Sequence, residues 1–142
     1  MVLIILVFTA IAAVFDARTK RIPNELLVVG LAVWIFAAIK GHVDSMMLNV
    51  ISGLLVTALL VVVRNLKPPK KLLGAGDIKL IFLIVLFCGL DEALSILLIS
   101  FIAALFEGAY LLCFHQINKN YRMALAPALF VGCLTHWLIG GM

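Results

Sequence analysis

Two aspartates carry the residue types and the spacing that could do chemistry. Asp16 follows the first apolar run and stands a few residues before Ile22-Pro23-Asn24. Asp77 ends Gly74-Ala75-Gly76-Asp77 and leads into Ile78-Lys79-Leu80. Each sits where an apolar stretch meets a polar loop. Two carboxylates brought together in a partly desolvated site cannot both ionise easily, because like charges push one pKa up. They then share a proton and titrate as a coupled pair. The ionised member can deprotonate a water while the protonated member polarises a peptide carbonyl, which is peptide hydrolysis without a metal. Gly74 and Gly76 suit such a site, since residues without side chains allow close approach of an extended substrate to the acid. A plainer reading of Asp77 stands beside this one. Glycine-rich loops also begin helices, and an aspartate there serves as an N-cap with no chemistry.

The elements that must position these acids follow from composition and pattern. The 142 residues fit one domain, residues 1–142. Apolar residues make up 65% and charged residues 13%, against norms of about half and about a quarter. Such a chain has too little polar side chain to cover a globule in water, so lipid is its expected solvent. The net charge of +4 does not point to nucleic acid, because the basic residues fall in short clusters between apolar runs, as on a cytoplasmic membrane face. Cys88, Cys113 and Cys133 stand singly in apolar runs and are expected to be buried, inert thiols. His42, His115 and His136 share no ligand spacing, so neither a metal site nor a cofactor is expected. The apolar start lacks a basic n-region and an A-x-A signal, and is expected to remain as a helix.

Apolar runs occupy residues 2–15, 25–39, 46–63, 78–90, 93–114 and 123–139. The expected fold is therefore all-α, a polytopic membrane protein with about six transmembrane helices. Several runs fall short of the roughly 20 residues that cross a hydrocarbon core. Either these runs tilt little in a locally thinned bilayer, or polar residues at their ends lie below the surface. The second option would place Asp16 and Asp77 at or just inside the membrane boundary. Arg18, Lys20, Arg21, Arg64, Lys67, Lys70, Lys71, Lys79, Lys119 and Arg122 fall on one side of a six-span alternation. Lys40, Asp44, Asp91 and Glu92 fall on the other. The first side is cytoplasmic by the positive-inside rule, so both termini face outward and both aspartates face the cytosol.

Three segments resemble the type IV prepilin peptidase family: Asp16 with Ile22-Pro23-Asn24, Gly74-Ala75-Gly76-Asp77-Ile78-Lys79-Leu80, and Ala126-Pro127-Ala128-Leu129-Phe130-Val131-Gly132. They fall in family order and span nearly the whole chain. The resemblance implies an intramembrane aspartyl endopeptidase of the GxGD type, in the cytoplasmic membrane, with Asp16 and Asp77 as its catalytic pair and Gly74 and Gly76 shaping the substrate site. The implied partner is a prepilin or pilin-like precursor, whose short basic leader is removed on the cytosolic side. The larger family members carry a cysteine-bearing domain between the first helices and methylate the new pilin N-terminus. The short first loop here resembles the peptidase-only form found with tight-adherence (Flp) pilus systems, so cleavage without N-methylation is expected. The alternative is a non-enzymatic membrane transport or pilus-assembly component, since intramembrane carboxylates also serve ion pathways.

Other polar residues have two readings each. Glu107 lies mid-way along the fifth run, either functional or protonated and hydrogen-bonded to a neighbouring helix. Lys79 either lowers the pKa of Asp77 or reaches for the interface. Pro23 and Asn24 suit the start of the second helix, and Trp34, Trp137 and Tyr121 suit an interfacial belt or helix packing.

Overall fold

The computed structural model describes residues 2–19, 22–41, 43, 45–66, 74–114 and 125–140. Among these it has six helices and no strand: α1 (Val2–Thr19), α2 (Asn24–Ile39), α3 (Met46–Asn65), α4 (Ala75–Cys88), α5 (Leu90–Phe114) and α6 (Ala126–Gly140). Lys20, Arg21, His42, Asp44, Lys67, Lys70, Lys71, His115, Lys119, Tyr121 and Arg122 lie outside the described residues.

Helix α4 is the centre of the molecule. Eight of its fourteen residues are buried: Ile78, Leu80, Ile81, Leu83, Ile84, Val85, Leu86 and Phe87. A helix apolar on all sides must be covered on all sides, and α1, α2, α3 and α5 do this. Helix α6 packs against α1 and α5, approaching α5 so closely that a Cβ on Gly132 would overlap Ser100 Oγ. Among the described residues, α3 and α5 contain the two stretches long and apolar enough to cross a membrane, Met46–Asn65 and Leu90–Leu111. Their large side chains lie mostly outside the packed interior; Met47 is 75% exposed and Phe106 74%.

Several boundaries differ from the apolar runs, each for a local reason. Helix α1 continues through Asp16 to Thr19, with Arg18 in a last turn whose free carbonyls favour a cation. Helix α4 begins three residues before its apolar run, so Asp77 stands inside its first turn rather than ahead of it. Asp91 and Glu92 occupy the first turn of α5, where negative charge suits the helix N-terminus. Gly89 makes the turn between α4 and α5 with φ +83°, a conformation that side chains with a Cβ disfavour. Of the three cysteines only Cys133 is buried; Cys88 is half-buried and Cys113 exposed, which corrects the expectation of three buried thiols. Glu107 is exposed on α5, whereas Trp34 is buried and packs between helices.

Candidate active site

The C-terminal end of α1 and the N-terminal ends of α2, α4 and α6 meet at one end of the bundle, and the three segments singled out in the sequence meet there with them. Asp16 is 6% exposed near the end of α1. Its Oδ2 accepts a hydrogen bond of 3.2 Å from the backbone N–H of Ala126. Ala126 is the first residue of α6, so this N–H has no partner within its own helix. The neighbouring Pro127 has no N–H to satisfy and is tolerated in a first turn. A helix N-terminus thus meets a carboxylate across 110 residues of sequence.

Asp77 is held by its own helix. Gly74 is the N-cap of α4 in an extended conformation, and its backbone N–H donates to Asp77 Oδ2 at 3.2 Å. This is the half of a capping box in which the acid reaches back to the cap. The tightness of the arrangement explains the glycine: a Cβ on Gly74 would stand 2.7 Å from Asp77 Oδ2. Gly76 is equally confined, since a Cβ there would meet Ile22 Cβ at 3.0 Å. The side chain of Lys79 donates to Asn24 Oδ1 at 3.0 Å. Through these two contacts the Ile22-Pro23-Asn24 segment and the Gly-Ala-Gly-Asp turn are joined.

Asp77 stands ahead of the apolar run that starts at Ile78, at the mouth of the bundle. Burial, and secondarily the charge of Asp16, push its carboxyl from an ordinary 3.8 up to about 6, while the Gly74 N–H pulls the other way. The two acids therefore sit close enough for the charge of one to act on the other. One proton shared between such groups allows one to act as acid while the other acts as base.

The type IV leader peptidase family matches residues 3–109, which include both aspartates. The chain belongs to the type IV leader peptidase family. No curated protein and no solved structure matches it. Family membership favours a protease over the transport or assembly component. For this leader peptidase, sequence reasoning named both acids, both glycines and the Ala126 segment. It missed the donor role of the Ala126 N–H, and it treated Asn24 as a helix start without a partner. A free N–H at a helix start was the available signal for the first. The sequence carries none for the second, because Asn24 and Lys79 are 55 residues apart. Lys79 reaches Asn24, and among the described residues it meets no carboxylate.

Proposed function

We propose that this leader peptidase is an aspartic endopeptidase whose catalytic acids are Asp16 and Asp77. Its substrate is a type IV prepilin or pilin-like precursor, cut on the cytosolic side to release the leader. Residues 1–142 act as one transmembrane peptidase domain, multi-pass in the cytoplasmic membrane, with six spans and both termini outward. The observation that carries this reading is that Asp16 and Asp77 lie at the same end of the bundle, with a main-chain donor on each.

The bilayer assignment is supported by the length of α3 and α5 and by their exposed apolar surface, far beyond what a soluble monomer leaves uncovered. Helix α4, with 14 residues, is about 21 Å long. That is short of a hydrocarbon core of about 30 Å, so both acids stand near the membrane boundary. Arg18, Arg64 and Lys79 belong to the same end as the acids, while Lys40, Asp91 and Glu92 belong to the opposite one. The cationic end is the cytosolic one.

The chemistry divides between the two acids. Asp77, with the raised pKa, holds the shared proton and donates it toward the scissile carbonyl oxygen. Asp16, whose Oδ2 accepts the Ala126 N–H at the start of α6, acts as the base. It takes a proton from a water, whose oxygen attacks the carbonyl carbon. Asp16 then returns its proton to the peptide nitrogen and Asp77 takes one from a diol hydroxyl, so that the tetrahedral diol collapses and the nitrogen leaves as the new amine. The leader departs with the new carboxylate, and the dyad regains one shared proton. Gly74 and Gly76 shape the substrate side of the site indirectly, by letting the Asp77 carboxyl and Ile22 pack directly against the backbone. Residues 20–23 alone join α1 and α2, which supports cleavage without N-methylation. Co-expression with a prepilin tests the assignment. Asp16→Asn and Asp77→Asn should each leave the leader in place while the chain still inserts, as read by mass spectrometry. Normal processing by either variant overturns it.

A further inference from the structure

A cavity of about 350 Å³ lies between α2 and α4, bounded by Asn24, Leu27, Val28, Leu31, Lys79, Phe82 and Leu83. Five of these seven side chains are apolar. The two polar ones, Asn24 and Lys79, are bonded to each other at the end of the groove nearest the acids. Lys79 lies two positions after Asp77, about 200° around α4. The groove therefore opens on a different face of the helix from the carboxyl pair.

Shape and charge together identify what fills it. The apolar lining runs about 10 Å along α2 from Asn24 to Leu31. A single hydrocarbon chain, roughly 4–5 Å across given the approach distance of non-bonded carbons, can lie along it. At the mouth, Lys79 carries a positive charge with no carboxylate partner among the described residues, and Asn24 keeps its amide donors while its Oδ1 is engaged. An apolar slot with a cation and amide donors at one end matches an acyl chain with an anionic headgroup. Basic sites between helices on the cytoplasmic side take such headgroups.

We propose that the groove between α2 and α4 is a binding site for one anionic phospholipid, its acyl chain along Leu27, Leu31 and Phe82 and its phosphate at Lys79 and Asn24. This rests on the bilayer placement given above and not on the assignment of the catalytic acids. The bound lipid fills the gap between α2 and α4 beside the Ile22–Gly76 contact, and so supports the wall that carries Asp77.

The full chain in nanodiscs of equal phosphatidylcholine and phosphatidylglycerol, ejected into a mass spectrometer, tests the site. The expected result is one retained phosphatidylglycerol per chain after phosphatidylcholine is stripped. Lys79→Gln should lower that retention about tenfold, the size expected for one charge-assisted hydrogen bond, while Lys79→Arg keeps it. Val28→Trp, which fills the slot and leaves the cation, should lower it as well. Retention unchanged in Lys79→Gln or Val28→Trp overturns the proposal. So does displacement of the lipid by inorganic phosphate, which would make the site an anion site without a chain. Weaker leader cleavage by Val28→Trp with unchanged lipid retention would make the groove a seat for the substrate segment instead. Asp77→Asn should retain the lipid as the parent does, which separates this outcome from that of the peptidase assignment. Recovery of the chain in the soluble fraction would instead sink the bilayer placement itself.

Discussion

The two ends of α4 solve the same problem in opposite ways. A buried helix terminus leaves backbone groups without partners. At the C-terminal end, the carbonyl of Leu86 accepts hydrogen bonds from Trp34 Nε1 at 2.6 Å and from Asn49 Nδ2 at 3.5 Å, and Gly89 turns the chain away at positive φ. Every group in that cluster is neutral, and its donors and acceptors match at any ordinary pH. At the N-terminal end the N–H of the cap residue Gly74 is held by an ionisable acid, Asp77, half-buried and near a second acid. Its fit depends on where one proton resides. Matched neutral groups make a rigid support, whereas mismatched ionisable ones make a site that can move a proton. The structural end of α4 thus fixes the helix on which the chemical end stands.

Four measurements bear on that contrast, from the largest effect to the smallest. Removing either acid should cost most. Asp16→Asn and Asp77→Asn should slow leader cleavage by about 10²–10⁴-fold or more, without loss of folded protein. A parallel loss of folding in both would make the acid end structural as well. At the other end, Trp34→Phe deletes a buried donor and leaves the Leu86 carbonyl with a weaker partner. Unfolding in detergent should show a loss of about 1–3 kcal/mol, with the pH dependence of cleavage unmoved. A shift of that pH dependence would mean that the two ends are coupled.

The third measurement is the pH profile itself. Activity requires one proton on the pair, so kcat/KM should decline above an apparent pKa of about 6, by up to about tenfold per pH unit. In kcat the limb should lie higher, because bound substrate removes water from Asp77 and disfavours its charge further. A limb absent between pH 5 and 9 would break the proposed division of labour. The fourth is the smallest effect. The folded-state pKa of Asp77 lies above its ordinary value, so its contribution to stability is fully present below about pH 4 and is lost as pH rises through about 6. Asp77→Asn should therefore be more stable than the parent at pH 8. The gain is about 1–2 kcal/mol after allowance for partial solvent exposure, and it should vanish near pH 4. Equal stability at both pH values would show that Asp77 is not strained by burial and by Asp16.

The legible part of this site came from residue type and from counting spans. Asp16 and Asp77 stand out because acids are rare in such a chain. An alternation of six runs places the end of the first and the start of the fourth on one side. Run boundaries were less legible. Helices α1, α4 and α5 extend past their apolar runs, because charged residues suit the termini: Arg18 at the end of α1, Asp77 and the pair Asp91 and Glu92 at the starts of α4 and α5. Reading those charges as loop put Asp77 outside a helix to whose first turn it belongs. Glu107 shows the opposite problem, since an acid in an apolar run says nothing about which side of the helix is packed.

By itself the sequence determined that the protein is helical, that its runs are apolar enough to lead to the proposal of a lipid solvent, which two acids could do chemistry, and that both stand at one end. These follow from composition, run length and alternation, which are local or additive properties. Only the tertiary structure decided who meets whom: the Ala126 N–H on Asp16, Lys79 on Asn24, Ile22 against Gly76, and Trp34 with Asn49 on the Leu86 carbonyl. The reason is physical. A water-soluble helix announces its buried face by an apolar stripe, but helices apolar on every side carry no stripe. Their neighbours are chosen by small residues, shape and a few polar contacts, and those appear only once the helices are packed.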